Sequence, residues 1–184
     1  MSFDGDLYPE AGASKVITSK GDLVRGDASG NRERYGIGST GQVLSVQSGT
    51  IDWIDADSIT HQVVVTFACG DETTAVDATG QKISFRMPFG MTLNAGAAGV
   101  KGSLVTAGTG ANLFTVDINE SGSTILSTKL TFDATETSTV TATTPVVISD
   151  TTLADDAIIT VDVDQLDSGG VAAGLKISLI GSLT

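Results

Sequence analysis

Residues 157–165 read AIITVDVDQ, and the order of side chains in them decides the fold. Ile159, Val161 and Val163 alternate with Thr160, Asp162 and Asp164. A period of two puts the first set on one face of an extended chain and the second on the other, so one face meets a core and the other meets water. The same alternation recurs on both sides of this stretch. Residues 82–87 (KISFRM) set Ile83, Phe85 and Met87 against Lys82, Ser84 and Arg86. Residues 112–119 (NLFTVDIN) set Phe114, Val116 and Ile118 against Thr115, Asp117 and Asn119, and residues 175–180 place Leu175, Ile177 and Leu179 together. Residues 62–69 (QVVVTFAC), 91–94, 100–107, 124–132 and 145–149 fit further strands. Half-solvated faces of this kind belong to antiparallel sheets.

Turn-forming groups separate these strands: Cys69-Gly70-Asp71, Ala78-Thr79-Gly80, Glu120-Ser121-Gly122 and Asp167-Ser168-Gly169-Gly170. The spacing predicts an all-β knob domain over residues 61–184, an antiparallel β-sandwich that is jelly-roll-like. An immunoglobulin-like sandwich is the second reading, without a Cys…Trp…Cys signature to support it. Helix is nearly absent. Residues 51–61 (IDWIDADSITH) have room for a turn or two, and residues 152–157 (TLADDA) for one.

Residues 1–60 differ. Glycines stand at 5, 12, 21, 26, 30, 36, 38, 41 and 49, among short apolar pairs such as Val16-Ile17, Leu23-Val24 and Val43-Leu44. No stretch there is long enough to build its own core, so the segment is expected to be an extended Gly-rich N-terminal arm that lies on something else.

Composition bounds the function. Hydrophobic residues make up 40% of the 184, too many for a disordered chain. No run approaches 18 apolar residues, so no transmembrane helix is expected. No basic segment followed by an apolar one opens the sequence, so no secretory signal peptide is expected, and one Cys makes no internal disulfide. These features point to a reducing cytosol or to particles assembled there. The net charge is −12, from 22 acids and 10 bases. Seventeen of the acids are Asp, a residue of turns and loop ends. Neither part of the chain carries the basic patch that phosphates require, so nucleic acid and anionic membranes are not expected partners.

Motifs for chemistry are weak. Gly36-Ile-Gly38-Ser-Thr-Gly41 spells GxGxxG, but Gln42-Val-Leu-Ser-Val46 after it reads as a strand, not the helix that nucleotide binding needs. His61 is the single histidine, and Cys69 lies a strand's length away, so the two form no dyad within one chain. Asp162, Asp164 and Asp167 cluster near a turn without the ligand spacing of a calcium loop. Arg25-Gly26-Asp27 spells a cell-adhesion tripeptide by chance. No catalytic set, cofactor or metal site is expected.

Residues 18–53, TSKGDLVRGDASGNRERYGIGSTGQVLSVQSGTIDW, carry a pattern of KGDL, a polar turn, an Arg, G-x-x-GQVL and a Trp about nine residues later. The carriers are Lys20, Gly21, Asp22, Leu23, Arg34, Gly38, Gly41, Gln42, Val43, Leu44 and Trp53. This segment, about a fifth of the chain, resembles one that recurs in bacteriophage tail-fibre and other virion surface proteins. The strand-rich remainder resembles, in shape only, the small jelly-roll domains of phage knobs, fibres and capsid decoration proteins. The resemblance implies a structural, non-enzymatic role on the virion surface, assembly as a homotrimer, and anchoring by the residues named. Partners would be the major capsid protein or tail and baseplate proteins.

Two locations follow from it. In a capsid decoration (cement) protein the arm grips capsomers and the sandwich projects. In a short tail fibre or fibre tip the arm docks to the tail and the sandwich meets the host. A carbohydrate-binding module is a third reading. The motif itself favours fibres. The length, with room for one anchor and one knob, and the placement of Trp53, Tyr8 and Tyr35 in the arm favour decoration.

Overall fold

The computed structural model describes residues 18–59 and 61–184. The chain divides into two compact units, 1–59 and 60–184. Tyr8 and the Val16-Ile17 pair lie outside the described residues.

In the first unit the strands pair within the chain, as two hairpins. Strand β1 (Leu23–Gly26) pairs with β2 (Arg32–Tyr35), and β3 (Gln42–Gln47) with β4 (Thr50–Asp55). The turns account for both. Between β1 and β2, the Asp27 carboxylate accepts the Ser29 and Asn31 N–H groups, each at 2.8 Å, and Gly30 takes a positive φ of 80°. Between β3 and β4, Ser48 and Gly49 both have positive φ, 51° and 82°. Two such residues make the tight turn whose twist matches the flanking strands.

The second unit holds β5 (Gln62–Ala68), β6 (Gly80–Arg86), β7 (Met91–Leu93), β8 (Val100–Ser103), β9 (Phe114–Glu120), β10 (Ser123–Thr124), β11 (Leu126–Thr128), β12 (Leu130–Phe132), β13 (Val147–Ile148), β14 (Thr152–Leu153), β15 (Ile158–Gln165) and β16 (Lys176–Leu183). Two five-stranded antiparallel sheets form. One has the order β10-β9-β15-β6 with β12 also on β9, and the other β14-β7-β16-β5 with β8 also on β16. The connectivity is that of one long hairpin rolled on itself. The first strand pairs with the last (β5·β16), the second with the second last (β6·β15), and so inward through β7·β14 to β9·β12. Rolling adds β16·β7 and β15·β9. This is the jelly roll.

Between the sheets lies the core. Phe114, Val116, Ile118, Phe132, Ile159, Val161 and Val163 come from one sheet, and Val100, Leu153, Ile177 and Leu179 from the other, all at most 1% exposed. The faces assigned from the alternation on β9, β15 and β16 are therefore the buried ones.

Two local expectations are corrected and one, the helical turn in 51–61, is narrowed. Residues 51–61 form β4 and a single 3-10 turn (Ala56–Ser58), because Ile51, Trp53 and Ile54 pair across to Val46, Leu44 and Val43. Residues 152–157 give β14 and a turn at Asp156, whose φ is 59°. The stretch 124–132 is three strands, not one, because β10 and β12 pair with β9 while β11 pairs with β13.

Candidate assembly interface

The residues singled out at 18–53 are mostly spent on the shape of the two hairpins. The Asp22 side chain is fully buried and takes two bonds from Arg34, at 2.6 Å from Nε and 3.0 Å from Nη2. The Thr18 and Ser19 N–H groups donate to the same carboxylate, at 3.0 and 2.8 Å. A carboxylate in the interior needs such partners, and a planar guanidinium matches it with two parallel bonds. Gly21 precedes it with φ 92°, a conformation that side chains disfavour. Leu23 opens β1 opposite Tyr35.

Around Trp53 the pattern closes. The indole Nε1–H donates to the Gly36 carbonyl at 2.8 Å, and the ring stacks parallel to Tyr35 at 6.4 Å. Gly38 lies against that ring so closely that a Cβ would sit 2.6 Å from Cδ2, which explains a glycine there. Gly41 leads into β3 with φ 86°, and the Gln42 side-chain oxygen accepts the Ser39 N–H at 2.9 Å. Val43 pairs with Ile54 and Leu44 with Trp53. Lys20 is exposed on the turn before Asp22 and makes no side-chain hydrogen bond among the described residues.

Residues that the sequence pattern did not single out join the hairpins. The Arg25 guanidinium lies 4.2 Å over the Tyr35 ring, pairs with Glu33 across the strands and donates to the Ile51 carbonyl at 3.1 Å. Tyr35 donates to Asp52 at 2.6 Å and accepts the Trp53 N–H at 3.1 Å. Arg25-Gly26-Asp27 is thus structural: Arg25 ties one hairpin to the other and Asp27 shapes a turn. The Arg25–Glu33 pair and the Arg25–Tyr35 contact lie within the β1–β2 hairpin, whereas the bonds to Ile51, Asp52 and Trp53 join the two hairpins and leave no local sign in the sequence.

The apolar side chains are left over. Among the described residues of this unit no hydrophobic side chain is fully buried, whereas Leu23, Val24, Ile37, Leu44, Val46, Ile51 and Ile59 are all at least 39% exposed. Leu44, Val46, Ile51 and Trp53 share one face of the β3–β4 hairpin. Such a face is a candidate surface for association with another protein.

Electrostatics make the unit acid-sensitive. Bonding to Arg34 holds the Asp22 carboxyl well below the usual carboxylate range, against the opposing effect of burial. Asp27, bonded by the Asn31 N–H, and Asp52, bonded by Tyr35, are also lowered. A carboxyl depressed in the folded state contributes stability that is present above its unfolded pKa and is lost as pH falls through the folded one. Trp53, the single tryptophan, should therefore keep its native fluorescence down to about pH 4 and lose it progressively below that. Asp22→Asn should blunt this dependence; an unchanged acid transition in that variant would refute the assignment.

Elsewhere the singled-out residues stay apart. His61 is exposed before β5 and Cys69 is buried after it, with its thiol pushed up to about 12 by burial. Asp164 pairs with Lys129, which also holds the buried Asp117 at 3.0 Å. Asp162 accepts the Asn119 amide at 2.7 Å. Burial pushes Asp167 up, but N–H donors from Thr109, Val171 and Ala172 outweigh it and leave the carboxyl lowered. Gly36-Ile-Gly38-Ser-Thr-Gly41 runs into strand β3 rather than a helix. Among the described residues no three His, Cys, Asp or Glu side chains gather as a metal site. Compared with protein-family models, with curated proteins and with solved structures, the chain has no match.

Proposed function

We propose that this chain is a structural protein of the bacteriophage virion: a trimeric capsid decoration protein, anchored through residues 1–60, whose jelly roll projects from the surface. One observation carries the reading. The 18–59 unit commits its polar motif residues to holding two hairpins in shape and leaves seven large apolar side chains uncovered. Each contributes roughly 1.5–3 kcal/mol once fully buried, so three copies packed together, or against capsomers, gain far more than one copy alone. The jelly roll, by contrast, encloses a hydrophobic core of its own between its two sheets. The resemblance of residues 18–53 to virion surface proteins supplies the setting.

Light scattering tests the assembly. The full chain should have a mass divisible by three chains, and residues 61–184 alone should keep the β-sheet circular dichroism while losing that factor of three. A full chain with no three-fold mass, in solution or on particles, refutes the trimer. Particles lacking the protein should remain infectious but burst more readily on heating or osmotic shock, with hundreds of copies on the complete virion.

The fibre-like motif favours a second reading, a short tail fibre or fibre tip. It predicts a few dozen copies or fewer, intact particles that fail to adsorb, and soluble protein that competes with phage for cells. The jelly roll's five phenylalanines are all buried or half-buried in its core, which leaves no aromatic platform on its described surface for a glycan. That supports decoration over attachment.

A further inference from the structure

The two sheets have six edge strands, β5, β6, β8, β10, β12 and β14, and all but β5 are guarded. Strand β8 is four residues long, carries Lys101, and its Gly102 carbonyl accepts the Thr139 N–H at 3.1 Å. Strands β10, β12 and β14 are only two or three residues long. Strand β6 carries Lys82 and Arg86, and its register with β15 shifts at Val161/Asp162. Short length, charge and bulges are the devices by which proteins prevent strands from adding to an open edge. Strand β5 has none of them. Its seven residues, QVVVTFA, contain no charge and no proline, and pair with β16 without a shift along the whole length. Among the described residues its other side pairs with no strand.

The direction of its free backbone groups can be read from neighbouring bonds. The Cys69 N–H donates to the Leu175 carbonyl at 2.7 Å, so Cys69 and, by alternation, Phe67, Val65 and Val63 point their backbone toward β16. Ile180, the partner of Val64, agrees: it donates to Gly99 and accepts from Asn94, both away from β5. The N–H and C=O groups of Gln62, Val64, Thr66 and Ala68 therefore face outward. Beneath this edge the core is incompletely covered. Val63, Val65 and Phe67 on β5, with Ile83 and Phe85 on β6, are only partly buried, while inward residues of the central strands are at most 3% exposed.

We propose that β5 is a second assembly site, where two copies of this chain join their sheets by antiparallel β5–β5 pairing. The strand fits itself. Centred on Val65, the pairing sets Gln62 opposite Ala68, Val63 opposite Phe67 and Val64 opposite Thr66 of the other copy, and meets no like charges despite the acidic surface elsewhere. Each outward residue then faces another outward residue, so the two strands exchange about eight backbone hydrogen bonds. Val63 and Phe67 make the aromatic–β-branched pairs that sheets favour, on the face where cover is lacking. The contact has two-fold symmetry and is independent of the three-fold contact proposed for the 18–59 unit.

The test uses the full chain and its Val64→Lys variant, which places a guard on the outward row. Sedimentation at rising concentration should give wild-type protein twice the mass of the variant, with unchanged circular dichroism. Val64→Thr, neutral and β-branched, should retain the doubled mass. Should Val64→Lys fail to fold, Thr66→Lys on the same row takes its place. Equal masses for wild type and folded lysine variant up to the order of 1 mM, where specific association is weakest, overturn the proposal. So does loss of the doubling in Val64→Thr. Absence of a factor of three with the factor of two intact counts against the trimer alone; the reverse counts against β5 pairing alone.

Discussion

Phe132→Ala should destabilise the jelly roll by about 3–5 kcal/mol, the range for removing a fully buried aromatic ring. That is a large share of the roughly 5–15 kcal/mol by which a folded domain is held. Phe132 is 1% exposed and stands directly opposite Phe114 on the neighbouring strand, the two rings meeting edge to face at 5.9 Å. Its tip reaches the other sheet at Gly102, where a Cβ would lie 2.7 Å from the ring. A glycine offers no side chain to swing into the vacated space, and its Thr139 neighbour is held by bonds to the Gly102 backbone. The cavity should therefore persist, and the aromatic pair is lost as well, worth about 0.5–1.5 kcal/mol beyond area. Urea unfolding followed by far-ultraviolet circular dichroism measures the loss, and the melting temperature should fall on the order of 10–20 °C. A loss below about 1 kcal/mol would mean that the sheets close over the gap and that the core is not organised around this ring.

In the other unit, Trp53→Ala should abolish the folded hairpins while leaving the jelly roll intact. Two-stranded hairpins are marginal in water by themselves. Here the indole provides the stack on Tyr35, the bond to Gly36 and the surface against Gly38, and among the described residues no fully buried hydrophobic side chain backs it up. A fully buried aromatic costs about 3–5 kcal/mol to remove, and a half-exposed one about half of that, still more than such hairpins hold. Limited proteolysis reads the outcome. Wild type should resist cleavage within 18–59, whereas the variant should be cut there rapidly to a stable fragment beginning near residue 60. The variant should also lose the three-fold mass. Equal resistance of both proteins would show that the hairpins do not depend on this side chain.

The polar contacts of the 18–59 unit are only partly legible in the sequence. Gly38, Arg34 and Trp53 stood out as members of a spacing pattern, but their pairings did not. Arg34 reaches Asp22 across twelve positions, and Gly38 is small because of a ring fifteen positions later. Arg25 and Tyr35 were not marked by the pattern: the cation over the ring forms across the β1–β2 pair, and the bonds from these two residues to Ile51, Asp52 and Trp53 depend on two hairpins meeting. The helical turn expected in 152–157 failed for the same reason, and that in 51–61 was confined to Ala56–Ser58: local composition allowed more, and pairing with β7 and β3 overrode it.

The all-β class was written locally. In residues 157–165, 112–119 and 175–180 the alternation of apolar and polar side chains is a property of neighbours two apart, and burial of one face follows from it whatever the partner strand. Which strand becomes the partner is a different matter, because it turns on segments more than a hundred residues apart, such as β5 and β16, lowering their free energy together. The same holds for exceptions to the alternation. Asp117 sits on the polar side of its strand yet is buried, because Lys129 and Thr124 fold over it. Phe67 sits on the apolar side yet is only half covered, because rolling the long hairpin placed β5 at an edge. A period tells a residue which face it is on; only the closed fold decides what, if anything, lies against that face.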